Sequence, residues 1–292
     1  YKFLDPIGGK LTLGNGTFKH AKPSDFNDVE DLTVSGVFPG SIEDSLQEIE
    51  QNFAAIIIRN LECKPTCASP MREQLLAIQA IIKSNPDNIA ILSAGLAQAS
   101  GDIYDVEHMK RFTASFVGEI NEFLQSYRVL CVTRNVHSTR MWDEYAQGHS
   151  GIAIRIEPNL EKDSKFQRFQ EVKYQDERPT VYDSPTQFIQ DSLFGDKDQI
   201  IAWCLDKIIY TKTRDWEHEE EYRLVVPVLN HETPWDILPY HPEEVTELYL
   251  GARIENSVKD EIVGYARTRN PEIRIFRAEL ESNEELDFVP FD

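Results

Sequence analysis

Between residues 41 and 125 apolar positions recur at helical spacing: Ile42, Leu46, Ile49, Phe53 and Ile56, then Leu75, Leu76, Ile78, Ile81 and Ile82. Ser41 followed by Asp44 supplies a helix start, as does Ser69-Pro70 before the next run. The breaks Asn85-Pro86 and Gly101-Asp102 divide the block further, predicting helices over 71–84, 86–99 and 105–127. After Tyr127 the pattern shortens to apolar runs of strand length at 129–132, 152–156, 170–174, 222–226 and 245–250, with an alternating run at 273–280 as the final strand. A helix over about 184–209 interrupts them. Residues 1–40 mix short β-like pieces with Gly8-Gly9 and Gly14-Asn15-Gly16, the pattern of an opening hairpin and loop. The expected fold is a single α+β domain over 1–292, with a mixed or antiparallel central sheet and a helical insertion at 41–127.

The composition changes this picture in three ways. A chain of 292 residues that is 41% hydrophobic can bury a large core, so disorder is not its main state. A formal net charge of −20 repels nucleic acid and anionic membranes, unless Lys212, Arg214 and Arg223 line a local basic channel. No run approaches the ~20 apolar residues of a membrane span, and the opening Tyr1-Lys2-Phe3-Leu4 lacks the apolar run of a signal peptide. A cytoplasmic location is therefore expected, with reduced thiols at Cys63, Cys67, Cys131 and Cys204. No His cluster accompanies Cys63 and Cys67, so no metal is expected, and Cys131 and Cys204 lie in apolar runs as core residues do.

Three segments carry chemistry. In Met141-Trp142-Asp143-Glu144-Tyr145-Ala146-Gln147-Gly148-His149, the spacing of Trp142, Tyr145 and His149 puts them on one helical face, to stack on a planar ligand or to pack into the core, with Gly151 ending the helix. If residues 219–225 are extended, Glu219, Glu221 and Arg223 point one way. That row would stabilise a developing cation, orient sugar hydroxyls or raise one carboxylate's pKa; as a solvated strand edge it would do none of these. In Pro23-Ser24-Asp25-Phe26-Asn27-Asp28-Val29-Glu30, Asn27 and Asp28 either bind polar groups or make the turn. There is no P-loop, dinucleotide glycine fingerprint, His-Glu-x-x-His, Gly-x-Ser-x-Gly or calcium loop. Glu171-Val172-Lys173 matches the Glu-x-Lys of nucleases only superficially, without an acidic partner upstream.

Taken in order, these segments resemble a bacterial family catalogued as domain of unknown function 2971. The matching stretches are Tyr1-Lys2-Phe3, Pro23 to Asp28, Cys131-Val132-Thr133, Met141 through Gly151, Lys212, Trp216 through Arg223, and Leu250 through Ile254. Val132-Thr133, where Phe-Ser is usual, and the long block at 41–127 are departures. The layout also looks like that of mono-ADP-ribosyltransferases, which surround NAD with a polar residue on the first strand, a Ser or Thr followed by aromatics, and a later Glu. That resemblance implies Glu219 or Glu221 as the catalytic carboxylate, and Lys2, Thr133, Arg134, Trp142, Tyr145, His149 and Arg223 around NAD, with Arg134 or Arg223 on the pyrophosphate. Lys2 departs from the usual Arg or His. The implied function is an ADP-ribosyltransferase or NAD glycohydrolase, as a bacterial defence or toxin effector. The alternative is a non-enzymatic module of a stress or phage-defence system that binds a nucleotide-like ligand or a protein target. An enzyme needs Glu219 or Glu221 facing a pocket shared with Trp142 and Tyr145, whereas a binding module tolerates a row that points to solvent.

Overall fold

The computed structural model describes residues 1–85, 89–90, 94–95, 106–280 and 286–291 of an α+β chain. The chain divides into two compact units: Tyr1–Asp31, Leu124–Glu177 and Lys212–Asp292 form one, and Leu32–Phe123 and Arg178–Thr211 the other.

The strands run in chain order β1 (Lys2–Leu4), β2 (Thr17–Ala21), β3 (Tyr127–Thr133), β4 (Ile152–Ile156), β5 (Gln170–Glu171), β6 (Lys173–Gln175), β7 (Thr211–Thr213), β8 (Glu221–Pro227), β9 (Trp235–Pro239), β10 (Val245–Leu250), β11 (Arg274–Leu280) and β12 (Leu286–Pro290). The first unit carries two five-stranded sheets. One, ordered β1-β4-β10-β11-β12, is mixed: β10 and β11 run parallel around the crossover helix Asn256–Arg269, and its other pairs are antiparallel. The other, ordered β5-β8-β3-β2-β9, is antiparallel throughout. Phe18, Leu130 and Leu224 from the second sheet meet Ile152, Ile154, Leu248 and Ile275 from the first in one apolar cluster, joined by Leu13 and Ile262 from helices. Burial of these side chains is the main force holding the layers together, at about 1.5–3 kcal/mol each.

The opening residues correct the hairpin expectation. Pro6–Asn15 is a helix, because Asp5 Oδ1 accepts from the Ile7 and Gly8 amides at 2.8 Å each and Pro6 occupies the first turn. Gly9 serves packing: a Cβ there would stand 2.7 Å from Ile152 Cδ1. Gly16, at φ 67°, ends the helix in the left-handed conformation that glycine adopts without penalty. Two other breaks went unforeseen. The expected strand 170–174 is interrupted at Val172, and the expected helix 184–209 is two helices, Pro185–Phe194 and Lys197–Ile209, separated at Gly195 and restarted by the Asp196 cap.

The regular elements described in the second unit are mainly helices. Ser41 caps Ile42–Arg59 by accepting from the Asp44 amide, and Met71–Ser84 and Val106–Leu124 follow. Leu46, Ile49, Phe53, Ile56 and Ile57 are buried on one face of the first of these helices. The expected helix 86–99 lies mostly outside the described residues. No helix among the described residues is long and apolar enough to cross a membrane.

Candidate functional site

Backbone geometry after residue 213 gathers the charges. A 3-10 turn, Arg214–Glu219, leads to Glu220 at φ 43°, and only then does β8 begin. The left-handed residue turns Glu220 outward, where it meets Arg134 at 2.7 Å and Asn135 at 2.9 Å, while Glu219 and Glu221 both turn inward and are 4% exposed. The inward alternation of Glu219, Glu221 and Arg223 is thus reached by a different backbone from the extended strand expected. Arg223 has no exposed surface, and the row is not a solvated edge.

Lys212 is the hub. Its Nζ lies 2.6 Å from Glu219 Oε2, 3.4 Å from Asp31 Oδ2 and 3.5 Å from Glu221 Oε2, and sits 4.5 Å from the centre of the Trp216 ring. Arg223 donates through Nε to Glu221 Oε1 at 2.7 Å, and through Nη2 to Glu221 Oε2 at 2.9 Å and Asp31 Oδ2 at 2.6 Å. Tyr145 donates to Glu219 Oε1 at 2.5 Å and accepts from Asn27 Nδ2 at 2.9 Å. Burial at this depth is tolerated because the charges face partners through hydrogen bonds.

Three carboxylates share two strong cations, and the shortage falls unevenly. Burial disfavours the Glu221 charge, but the Arg223 guanidinium and then Lys212 overcome it and hold the carboxyl down at about 2. Burial wins at Glu219 and Asp31, whose carboxyls are raised above the ordinary range against the pull of Lys212 and Arg223 respectively. Burial also works against the Lys212 charge, yet Glu221, Asp31 and Glu219 together raise that ammonium above its usual value. Glu221 is thereby a fixed anion, whereas Glu219 and Asp31 are the carboxyls that burial pushes toward protonation.

This cluster forms part of the wall of a cavity of about 700 Å³ within the first unit, lined also by Lys2, Asn27, Cys131, Thr133, Met141 and Trp235. Of the residues expected around a ligand, Lys2, Thr133, Tyr145, Glu219 and Glu221 line it together. The others stand elsewhere. Trp142 has no exposed surface, donates to the Val136 carbonyl at 2.8 Å and packs edge-on to Phe3 in an apolar cluster. His149 is not on a helix. The helix Thr139–Tyr145 ends at Ala146, six residues before β4, so Gly151 does not terminate it. Gln147, Gly148 and His149 then take φ of 51°, 61° and 67°, folding the imidazole back on the Trp142 indole at 6.0 Å. Arg134 is exposed and paired with Glu220, and Arg223 is sealed behind Glu221 and Asp31, so neither lines the cavity.

Asp31, the second acceptor of Arg223, escaped the sequence reading, since one more acid after Glu30 carries no signal of burial. Cys131 lines the cavity rather than packing solely as core. Tyr174 also went unread; its hydroxyl accepts from the Glu221 amide at 2.9 Å. Glu144, His218 and Glu219 bring three potential ligand atoms within 4.8 Å of one another. Glu219 is bound at both oxygens by Lys212 and Tyr145, and Glu144 accepts from Arg140 at 2.7 Å.

Fold and site define an α+β protein whose buried ionic cluster opens on a cavity. Residues 141–224 match the family model described as protein of unknown function (DUF2971). The matched segment holds Tyr145, Lys212, Glu219, Glu221 and Arg223, whereas Lys2, Asn27 and Asp31 reach the site from outside it. Neither a curated protein nor a solved structure matches the chain.

Proposed function

We propose that this protein cleaves the N-glycosidic bond of NAD, as an ADP-ribosyltransferase or NAD glycohydrolase. The observation that carries this reading is Glu219, a buried carboxylate on the cavity wall held at both oxygens, by Tyr145 and by Lys212. In such a reaction the bond from the ribose anomeric carbon to nicotinamide breaks and its electron pair leaves with the ring nitrogen. The ribose becomes oxocarbenium-like, and water or an acceptor nucleophile adds to it and loses a proton. A carboxylate fixed beside the ribose stabilises the positive charge and accepts from a sugar hydroxyl, and it needs no reorganisation to do so. Glu219 fills that role, with Thr133 and Tyr145 as polar and aromatic neighbours on the same wall. Glu221, bound at both oxygens by Arg223, keeps Lys212 and Arg223 in place and acts as a positioning residue. The reading carries a cytoplasmic location, where NAD is held and the four free cysteines stay reduced.

The test is nicotinamide release from NAD by the purified chain beside Glu219→Gln. Wild-type turnover that falls about 10²-fold or more in the variant is the expected result. A wild type that neither binds nor consumes NAD sinks the reading.

A further inference from the structure

A dinucleotide brings phosphate charge, and the two arginines expected to meet it are committed elsewhere: Arg134 to Glu220 outside the cavity, and Arg223 to Glu221 and Asp31 behind it. Lys212 faces three carboxylates. The remaining lysines on the cavity wall are Lys2 and Lys19. Lys2 Nζ donates to the Cys131 carbonyl at 3.0 Å, one bond from a group that can make three. Lys19 Nζ lies 4.5 Å from the centre of the Trp235 ring. Burial holds the Lys2 ammonium below its ordinary value, and Lys19 adds to that depression against the pull of Glu221 and Glu219. Two like charges sharing one cavity repel, and an anion placed between them relieves the repulsion.

The same wall offers an aromatic surface. In the antiparallel pair β2–β9, Lys19 stands opposite Ile237 and Ala21 opposite Trp235, so Lys19, Ala21, Trp235 and Ile237 share a face. The opposite face sends Phe18, His20 and Asp236 into the buried interior. Trp235 is 39% exposed and Ile237 51% exposed, on a strand at the edge of its sheet. These two apolar side chains stand beside the Lys19 ammonium on the cavity wall, which gives that wall a surface on which a planar ring can stack.

We propose that Lys2, Lys19 and Trp235 form a nucleotide subsite, in which the two ammonium groups bind phosphate and the indole stacks against a base. This rests on the NAD reading and deepens it, assigning the phosphate-bearing part of the substrate to the wall made by β1, β2 and β9. A nucleoside without phosphate would use only the indole.

The experiment is calorimetric titration of the full chain with ADP and with adenosine, at low and at physiological salt. ADP is expected to bind at least about tenfold more tightly than adenosine, with the advantage shrinking as salt rises. Lys19→Gln, a change at an exposed position, is expected to weaken ADP about tenfold and adenosine by much less, since the lost ammonium also caps the indole, while Trp235→Ala weakens both. Equal affinity for ADP and adenosine, or an unaltered ADP affinity in Lys19→Gln, overturns the subsite. ADP binding that depends on Lys19, without any nicotinamide release from NAD, keeps the subsite and removes the glycosidic reading. Nicotinamide release with no preference for ADP does the reverse.

Discussion

Tyr145 is the residue through which the proposed role of Glu219 can be tested. Its hydroxyl donates to Glu219 and thereby favours the ionised form, working against burial. Tyr145→Phe removes that donor, leaves the ring in place, and raises the Glu219 pKa further. If ionised Glu219 drives NAD cleavage, the acid limb of the rate profile moves to higher pH in the variant, with turnover at neutral pH lower by about tenfold. Turnover that drops with an unmoved acid limb would mean that Tyr145 acts through packing alone. Glu219, Glu221 and Arg223 were legible as a set because strand periodicity groups every second residue, although Glu220 at φ 43° is what makes the grouping real at Glu219. Asp31 was not legible, because its partner Arg223 lies 192 residues away and nothing local distinguishes a buried acid from a turn acid.

At the scale of elements, the stretches that carry the family resemblance divide between scaffold and chemistry. Gly151 and Gly251 belong to the scaffold. A Cβ on Gly151 would lie 2.1 Å from the Leu4 carbonyl oxygen, and one on Gly251 would lie 2.2 Å from that of His149 and 2.7 Å from that of Gly151. These are backbone atoms held by the Gly251 amide to the Gly151 carbonyl at 2.9 Å and the Arg253 amide to the His149 carbonyl at 2.9 Å, so no side-chain rotation relieves the contact. Gly251→Ala is expected to cost about 3 kcal/mol and to lower the melting temperature by several degrees. An unchanged melting curve would show that the two loops part easily. The helix period was readable where a run faced a core on one side, as in Ile42–Arg59, and β4 was readable as a short apolar run because it is buried on both faces. The period was silent at Pro6–Asn15, whose apolar Ile7 and Leu11 are exposed, and at the short edge strand β9.

For the molecule as a whole, 50 acidic residues against 30 basic ones make charge the term most sensitive to conditions. Two effects favour mild acid. Lowering the pH from 8 toward the isoelectric point near 4.8 relieves repulsion within a chain of net charge −20. Asp31 and Glu219 have raised pKa values in the fold, so the native state takes up protons there that the unfolded chain does not, and stability increases as the pH falls through those values. Glu221 acts in the opposite sense. Its carboxyl sits at about 2 in the fold against ~4.3 in an unfolded chain, so its contribution is complete above the unfolded value and is lost as the pH drops from ~4.3 toward 2. Urea denaturation across a pH series should therefore find maximum stability on the acid side of neutrality, near pH ~5, with a steep decline below ~4. Glu221→Gln removes the carboxylate that pairs with Arg223 Nε and Nη2 and should cost about 3–5 kcal/mol at pH 7, a difference from wild type that narrows as the pH falls below ~4. Stability that declines steadily from pH 8 to 5 would mean that Asp31 and Glu219 do not take up protons in the fold, and a Glu221→Gln deficit that persists to pH ~2 would mean that the buried cluster is not held together by the ionised Glu221.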